Sequence, residues 1–219
     1  MAQIEVARTV SDQLASALRD QIVDGRIAPG QRLLQEEIAR EFNVSITPVR
    51  EAFVRLAALG LLSADARRGA QVVSPSWEDI TECYAIRAAL EPLAIEWAIP
   101  HMSDRDLEEL RRLIERMQLT KEPQAYVELN QAFHAGLYAR SQSERLCGLI
   151  EVVRSQASVY LLMLARSAGS NLQEVERHAN EDHQLILDAC RARDIDGAKA
   201  ALCAHLDEGL EQIRRALHF

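Results

Sequence analysis

Residues 43–52, Asn-Val-Ser-Ile-Thr-Pro-Val-Arg-Glu-Ala, contain the start of a helix that is suited to contact with phosphate groups. Ser45 or Thr47 can cap this helix, and Pro48 fits its first turn, where the missing N–H is not needed. Arg50 lies away from the apolar stripe of the helix, together with the Thr47 hydroxyl. The stretch is therefore either an ordinary helix start or part of a small nucleic-acid-binding domain.

Two shorter helical patterns precede this stretch. An apolar residue at every fourth position from Val10 to Ile22 predicts a first helix, which Gly25 ends. A second helix is predicted over residues 35–42, and Asn43 suits the left-handed turn that closes it. The third helix then begins within residues 43–52, so three helices follow one another in a short span.

The segment after the third helix predicts a hairpin. Residues 61–73, Leu-Leu-Ser-Ala-Asp-Ala-Arg-Arg-Gly-Ala-Gln-Val-Val, form two short strand-like runs around a turn that contains Arg67, Arg68 and Gly69. Three helices followed by a hairpin is the order of a winged helix-turn-helix domain. In that domain the third helix enters the major groove of DNA, and the wing lies along the backbone or the minor groove.

Residues 73–77, Val-Ser-Pro-Ser-Trp, predict a linker, and the pattern after it is helical throughout. Six helices are predicted near residues 77–99 (bent at or before Pro92), 103–119, 122–141, 144–167, 171–192 and 195–217. We therefore predict a mainly α protein in two domains. Residues 1–74 form a winged helix-turn-helix domain, and residues 75–219 form an all-α bundle of about six helices.

Charge is divided unevenly between these two parts. Residues 1–75 contain nine Arg and nine Asp or Glu, whereas residues 76–219 contain sixteen basic and twenty-four acidic residues. The second part therefore accounts for the whole net charge of −8. Between residues 45 and 68, four Arg stand against two acids, so a modestly basic surface is expected where the DNA-contacting helix is predicted.

Composition excludes several classes of protein. With 48% hydrophobic and 26% charged residues the chain can fill hydrophobic cores, so it is not disordered. No apolar run approaches the roughly 20 residues of a membrane span, and no leader sequence opens the chain, so a cytoplasmic protein is expected. The four cysteines show no paired metal-binding spacing and are interpreted as reduced thiols.

From about residue 8 to residue 215 the chain resembles bacterial transcription regulators of the GntR family, in the FadR-type subgroup with a helical FCD effector domain. The resemblance depends on the order and spacing of seven motifs. They are LRDQIVDGRIAPGQRL (18–33), SITPVREAFVRLAALGLL (45–62), RRGAQVV (67–73), YAIRAALEPLAIEWA (84–98), NQAFH (130–134), EDHQLILDA (181–189) and AHLDE (204–208).

The resemblance implies a set of DNA-binding residues: Arg32, Ser45, Thr47, Arg50, Arg68 and Gly69. In this interpretation Arg50 contacts a phosphate or a base, and Arg68 and Gly69 belong to the wing. The chain departs from the family at Ile46 and Glu36, where other members often carry basic residues. Because guanidinium groups that could bind guanine or phosphate are lost, we expect a different operator preference or weaker binding. The alternative is that the helix is merely capped and that Arg50 pairs with a nearby acid.

The histidines of the second part predict a metal site. Asn130 and His134 are four residues apart on one helix and can face the same point. His183 and His205 lie at similar distances on either side of the turn between the last two helices. Three imidazoles and one amide oxygen would hold a divalent transition metal of the Zn, Ni or Mn class and leave coordination positions open. The alternative is ordinary core or surface histidines.

The resemblance supports the metal interpretation, because FCD domains typically carry Asp or Asn four residues before a histidine and two further histidines at these places. This chain has the uncharged Asn130, so metal retention is expected to be weaker than with Asp. The resemblance also assigns Arg87 to the binding of a small carboxylate effector. The alternative for Arg87 is a simple helix pair with Glu91.

We therefore interpret the chain as a homodimeric regulator, acting as a repressor, that binds a pseudo-palindromic site in double-stranded DNA under the control of a small organic acid. It is not expected to be an enzyme. Two alternatives remain: a helical domain that serves only for dimerisation, and a metal-dependent hydrolase that uses Glu181 or Asp182 as a base. The hydrolase is disfavoured because residues that flank His183 on a helix should point about 100° or more away from the metal.

Overall fold

Helices dominate the part of the chain that the computed structural model describes, which is residues 9–23, 25–63, 69–120, 123–168 and 173–218. The chain divides into two units, residues 1–76 with 158–163 and residues 77–157 with 164–219. The mainly α fold class predicted from the sequence is confirmed. Within the described ranges, no helix has both the length and the apolar character needed to cross a lipid bilayer.

The first unit contains three helices and two short strands. In chain order they are α1 (Val10–Val23), β1 (Arg32–Leu33), α2 (Gln35–Glu41), α3 (Ile46–Ala58) and β2 (Ala70–Gln71). The core forms where the apolar stripe of α1 packs on that of α3. Both stripes follow the helical period: Leu14, Leu18 and Ile22 on α1, and Val49, Phe53 and Leu56 on α3. The opposite face of α3 is exposed and does not contribute to this core.

The small sheet differs from the hairpin that the sequence predicts. Leu62 and Val72 form an antiparallel bridge between the two predicted strand segments, as expected. However, β2 pairs mainly with β1, where Arg32 lies opposite Gln71. The sequence pattern does not predict β1, because two residues are too few to show the alternation that identifies a strand.

Gly69 directly precedes β2, and the backbone conformation at this position requires a glycine. Its φ of +132° lies in the region that side chains disfavour. A Cβ at this position would lie only 2.5 Å from the carbonyl oxygen of Leu33. The glycine therefore lets two segments of the sheet approach closely.

The turn before α3 follows the prediction from residues 43–52. Asn43 has a φ of 52°, as the left-handed turn requires. Ser45 is the N-cap residue in an extended conformation, but among the described residues its hydroxyl caps no backbone N–H. Pro48 is the third residue of the helix, where its missing donor costs nothing. The Ser45 hydroxyl thus remains available at the start of α3.

All six predicted helices of the second part are present, with ends within a few residues of the prediction, and they belong to the second unit except for residues 158–163 of α7. They are α4 (Trp77–Ala98), α5 (Asp104–Leu119), α6 (Pro123–Tyr138), α7 (Glu144–Ala168), α8 (Gln173–Arg191) and α9 (Ile195–Leu217), and a 3-10 turn (Ile99–His101) follows α4. Pro92 lies inside α4. The core lies among α4, α5, α6, α8 and α9, with Phe133, Leu137, Ile186 and Leu202 fully buried.

A tight turn makes α8 and α9 antiparallel neighbours. Arg193 adopts a φ of 55°, and the Asp194 side chain accepts a hydrogen bond of 2.9 Å from the N–H of Gly197. A Cβ at Gly197 would lie 2.1 Å from the Asp194 carboxylate, so this cap depends on the glycine. The turn fixes the register between the two helices, and with it the heights of the side chains that they turn toward the core.

Candidate functional site

Three buried histidines meet inside the bundle. His134 comes from α6, His183 from α8 and His205 from α9. One ligand atom from each imidazole lies within 4.8 Å of the others, and the ring centroids are separated by 4.8 to 5.3 Å. His134 and His183 are fully buried, and His205 is 8% exposed. We call this group the three-histidine pocket.

Several buried polar atoms of the residues predicted to bind metal lack a hydrogen-bond partner among the described residues. They are Nε2 of His134, both ring nitrogens of His183, and Oδ1 of Asn130. A buried polar group without a partner costs roughly 1–3 kcal/mol, so folded proteins rarely leave several together. Imidazole nitrogen and amide oxygen are ligands for divalent transition metals, so these side chains fit such an ion.

The protonation state of the pocket suits metal binding. Burial lowers the pKa of His134 well below its usual 6.5, and the Arg154 guanidinium and the neighbouring imidazoles lower it further. Burial likewise lowers the pKa of His183, with His205 and Arg154 contributing. Both rings are therefore neutral at pH 7, which leaves a nitrogen lone pair free on each.

The outer nitrogens of two of the rings contact polar groups. His205 Nδ1 lies 3.3 Å from Oδ2 of Asp182, and His134 Nδ1 lies 3.4 Å from the Tyr138 hydroxyl and 3.7 Å from Oε2 of Glu91. An oxygen that accepts a hydrogen bond from Nδ1–H fixes the tautomer in which Nε2 carries the lone pair on the opposite side of the ring. The Nε2 atoms of His134 and His205 are thus the nitrogens to expect as ligands.

Beside the pocket lies a buried polar layer made of Arg87, Glu91, Tyr138 and Arg154. Arg87 Nε donates to Oε1 of Glu91 at 2.7 Å, and Arg154 Nη1 lies 3.5 Å from the same oxygen. The Tyr138 hydroxyl donates to Oε2 of Glu91 through a short hydrogen bond. Arg87 also stacks on the ring of Tyr84, with Cζ 4.5 Å from the ring centroid. One carboxylate therefore joins three helices.

The polar layer carries an excess positive charge. Burial alone would raise the pKa of Glu91, but Arg87 and Arg154 outweigh that effect and lower it, so the carboxylate is ionised. Burial, together with Glu91, raises the pKa of Tyr138 well above 10, so the phenol is neutral. Since arginine remains protonated in proteins, the layer contains two positive charges and one negative charge. Such a layer favours an anion beside it.

His134, His183 and His205 come together, and Asn130 lies one turn before His134. Arg87 forms the pair with Glu91 that was considered as its alternative, but both side chains are buried.

Sequence reasoning missed Arg154 and Tyr138, and it missed the contact between Asp182 and His205. It expected Asp182 to point away from the metal, and the Asp182 carboxylate lies against Nδ1, the outer nitrogen of His205. A ligand on one helix can be contacted from the neighbouring helix, a relation that angular spacing on a single helix does not reveal. The short turn between α8 and α9 could have been the signal for Asp182, because it places residues before the turn beside residues after it. No local pattern of this kind marks Arg154.

The predicted DNA-contacting residues of α3 are exposed. Ser45, Thr47 and Arg50 all lie on the solvent side of its first two turns. Arg50 Nε donates to the side-chain oxygen of Gln35 at 3.1 Å, so its guanidinium lies where α2 and α3 meet. Arg55, further along α3, instead forms an ion pair with Asp12 of α1.

The remaining predicted DNA contacts lie in or near the sheet. Arg32 is exposed on β1. Gly69 is buried, so any contact with DNA would have to come from its backbone. Arg68 lies outside the described residues. Among the described residues, the exposed basic side chains available for the predicted contacts are therefore Arg32, at the sheet, and Arg50, on α3.

Two family descriptions match the chain. "Bacterial regulatory proteins, gntR family" matches residues 10–72, and "FCD domain" matches residues 82–208. The first match covers the three helices and the sheet of the first unit. The second covers the three-histidine pocket and the polar layer.

Individual proteins show the same similarity along nearly the whole chain. The HTH-type transcriptional regulator McbR of Escherichia coli (strain K12) is 30% identical over 203 residues, 90% of each chain. A probable D-xylose utilization operon transcriptional repressor of Paenarthrobacter nicotinovorans is 30% identical over 201 residues, 90% of this chain and 86% of the other. The solved structure of E. coli McbR/YncC superposes with a TM-score of 0.76 at 28% identity, covering 94% of this chain and 98% of that one.

Proposed function

Because the chain belongs to the GntR family of bacterial transcription regulators and carries an FCD domain, we propose that residues 1–74 bind an operator and that residues 75–219 sense a small carboxylate. The relatives and structural neighbours to which the chain is similar are transcriptional regulators. The chain is likewise a transcriptional regulator and not an enzyme. The observation that carries the sensing proposal is the three-histidine pocket, whose buried nitrogens lack partners among the described residues.

A divalent transition metal of the Zn, Ni or Mn class would be held by His134, His183 and His205, with Asn130 as an amide-oxygen ligand. When bound, such an ion supplies an electrophilic centre with open positions for an oxygen of an anionic ligand. Asp182 would orient the His205 ring by accepting a hydrogen bond from Nδ1–H, whose nitrogen lies 3.3 Å from its Oδ2. An uncharged amide neutralises less of the ion's charge than a carboxylate would, so exchange of the metal should be easier than in an aspartate site.

The polar layer supports a carboxylate as the ligand. Its two guanidinium groups face one carboxylate, and the surplus charge lies beside the pocket. Arg87 is the residue that the family resemblance assigns to the ligand, and its pairing with Glu91 at 2.7 Å keeps its guanidinium plane fixed. Burial excludes water, which strengthens each of these interactions.

Regulation follows if the ligand favours one of two states of the protein that differ in operator affinity. Arg87 lies on α4, the helix that begins at Trp77 directly after the linker. Ligand binding at Arg87 would therefore act on the element that the linker joins to the DNA-binding residues. We propose a homodimer that binds a pseudo-palindromic site, because two-fold symmetry presents two copies of α3 to two half-sites.

The experiment compares wild type with His134→Ala on double-stranded DNA that the wild-type protein selects from a random library. Fluorescence anisotropy measures DNA affinity for EDTA-treated and zinc-loaded protein across a panel of small carboxylates. We expect at least one acid to change the affinity of the zinc-loaded wild type by about 5- to 150-fold. His134→Ala should bind DNA without ligand as the wild type does and should not respond to the acid.

His101→Ala is the matched control, because His101 is an exposed histidine in the 3-10 turn after α4. It should respond as the wild type does. An equal response in His134→Ala, or a response that persists after metal removal, would contradict the proposed sensing site. No response from the zinc-loaded wild type to any acid would favour the alternative in which the bundle serves only for dimerisation.

A further inference from the structure

The first residue of α3 is a large apolar residue that stays exposed. Ile46 begins the helix and is 38% exposed, whereas Val49 and Phe53, in the core stripe of the same helix, are at most 3% exposed. A β-branched side chain also favours a helix less than an unbranched one does, because its χ1 is restricted there. Neither core packing nor helix formation therefore explains an isoleucine at this position.

The surroundings of Ile46 suit a nucleic acid. The first turn of α3 contains no Asp or Glu, whereas the first turns of α1, α2, α4 and α5 each contain at least one. The N–H groups at a helix N-terminus favour an anion, and no carboxylate in this turn repels a phosphate, since Glu51 belongs to the second turn. Thr47 adds an exposed hydroxyl. This end of α3 can therefore lie close to the DNA backbone, which places Ile46 at the groove.

Arg50 lies one turn after Ile46 on the exposed side of α3. Its Nε donates to the side-chain oxygen of Gln35 at 3.1 Å, a contact that orients the guanidinium. Four residues of helix rise by about 6 Å, and neighbouring bases of one DNA strand are about 3.4 Å apart. Side chains one turn apart on a helix that lies along the major groove therefore meet base pairs about two positions apart.

The major groove offers an apolar side chain one suitable group. Adenine, guanine and cytosine present hydrogen-bond donors and acceptors there, whereas thymine also presents its C5 methyl group. An isoleucine over donors and acceptors would displace water without replacing the lost hydrogen bonds. Over the methyl group it buries apolar surface on both partners, which is favourable. Arg50, by contrast, matches the O6 and N7 acceptors of guanine.

We propose that Ile46 is a specificity-determining residue of the operator complex and contacts the C5 methyl group of a thymine, about two base pairs from the base pair that faces Arg50. This inference rests on the proposed function, because it concerns the DNA that residues 1–74 bind, and it specifies the base chemistry that they recognise. In helix-turn-helix proteins the N-terminal residues of the recognition helix contact base edges. Val54 is also β-branched and is 64% exposed, but it lies two turns further along α3 and should contact no base.

The test removes the methyl group from the DNA without changing its base pairing. The full-length wild type first selects its operator from a random DNA library, and each thymine of that operator is then replaced by deoxyuridine, which lacks only the methyl group. Fluorescence anisotropy measures the Kd for each duplex. We expect one thymine per half-site whose replacement weakens binding by about threefold, and by about tenfold when both half-sites carry deoxyuridine.

The variants connect that methyl group to Ile46. Ile46→Ala should bind the operator about tenfold more weakly than the wild type does and should bind its thymine and deoxyuridine forms equally. Ile46→Val keeps a β-branched apolar side chain and should retain most of the preference for thymine. Val54→Ala is the matched control, because it truncates an exposed β-branched residue of the same helix, and it should show the wild-type preference.

The assignment of Ile46 and operator binding itself would fail in different ways. An operator with no deoxyuridine-sensitive thymine, or a preference that persists in Ile46→Ala or disappears equally in Val54→Ala, would overturn the inference and leave operator binding intact. A wild type that selects no sequence from the library would contradict operator binding by residues 1–74, and the inference with it.

Discussion

Replacement of His183 by leucine is expected to raise the thermal stability of the metal-free protein and to abolish the stabilisation that zinc gives the wild type. Both ring nitrogens of His183 are buried and lack partners among the described residues, and the ring packs on Phe133 with centroids 4.6 Å apart. Leucine keeps an apolar contact with Phe133 and removes the unpaired polar atoms, so the metal-free fold should gain about 1 kcal/mol.

The loss of zinc stabilisation should be larger than this gain. A ligand present at 100 times its Kd stabilises the folded state by about 2.7 kcal/mol. Removing one of three imidazoles should lower zinc affinity by at least about 100-fold, so most of that stabilisation disappears. Urea unfolding of EDTA-treated protein, with and without excess zinc, measures both effects. His101→Leu, at an exposed position, should keep the zinc response; His183→Leu behaving the same way would refute the ligand assignment.

Replacement of Arg50 by alanine is expected to reduce operator affinity by about 10- to 100-fold, the range typical of a side chain that contacts a base or phosphate. Arg50 is exposed in the first half of α3, and its contact with Gln35 lies where α2 and α3 meet. Because its apolar neighbours on α3 are buried on the opposite face, the substitution should leave the fold intact. Fluorescence anisotropy on selected DNA measures the change.

Arg55→Ala is the matched control for Arg50. Both arginines are on α3 and both are exposed, but Arg55 pairs with Asp12 of α1. An exposed ion pair contributes less than about 1 kcal/mol to stability, so Arg55→Ala should fold normally. Its operator affinity should stay within about threefold of the wild type. Equal losses for the two variants would mean that general positive charge, and not the position of Arg50, determines binding.

The fold could be predicted from the sequence wherever periodicity extends over several turns. The stripe from Val10 to Ile22 and the linker at residues 73–77 were sufficient to place α1 and the start of α4. The strand β1 could not be predicted, because its two residues pair with a segment about forty positions away. Pairing over that distance depends on how the helices bring the segments together, and no local pattern encodes it.

The candidate site shows the same limit. The family resemblance pointed to one pocket for His134, His183 and His205. The spacing supported it, because His183 and His205 lie at similar distances from the turn between α8 and α9. Arg154 gave no signal, because an arginine in a long helix is usually exposed, and its burial depends on Glu91 from another helix. The contact between Asp182 and His205 gave no signal for a related reason: the partner of Asp182 is on α9 and not on its own helix.

The central claim is that His134, His183 and His205 bind one divalent ion within the bundle. Anomalous diffraction at the zinc absorption edge, from crystals of the zinc-loaded full-length protein, tests this most directly. We predict a single strong anomalous peak per chain, within bonding distance of one nitrogen from each of the three rings. The absence of a peak there, or a peak elsewhere with these rings in their present positions, would contradict the account.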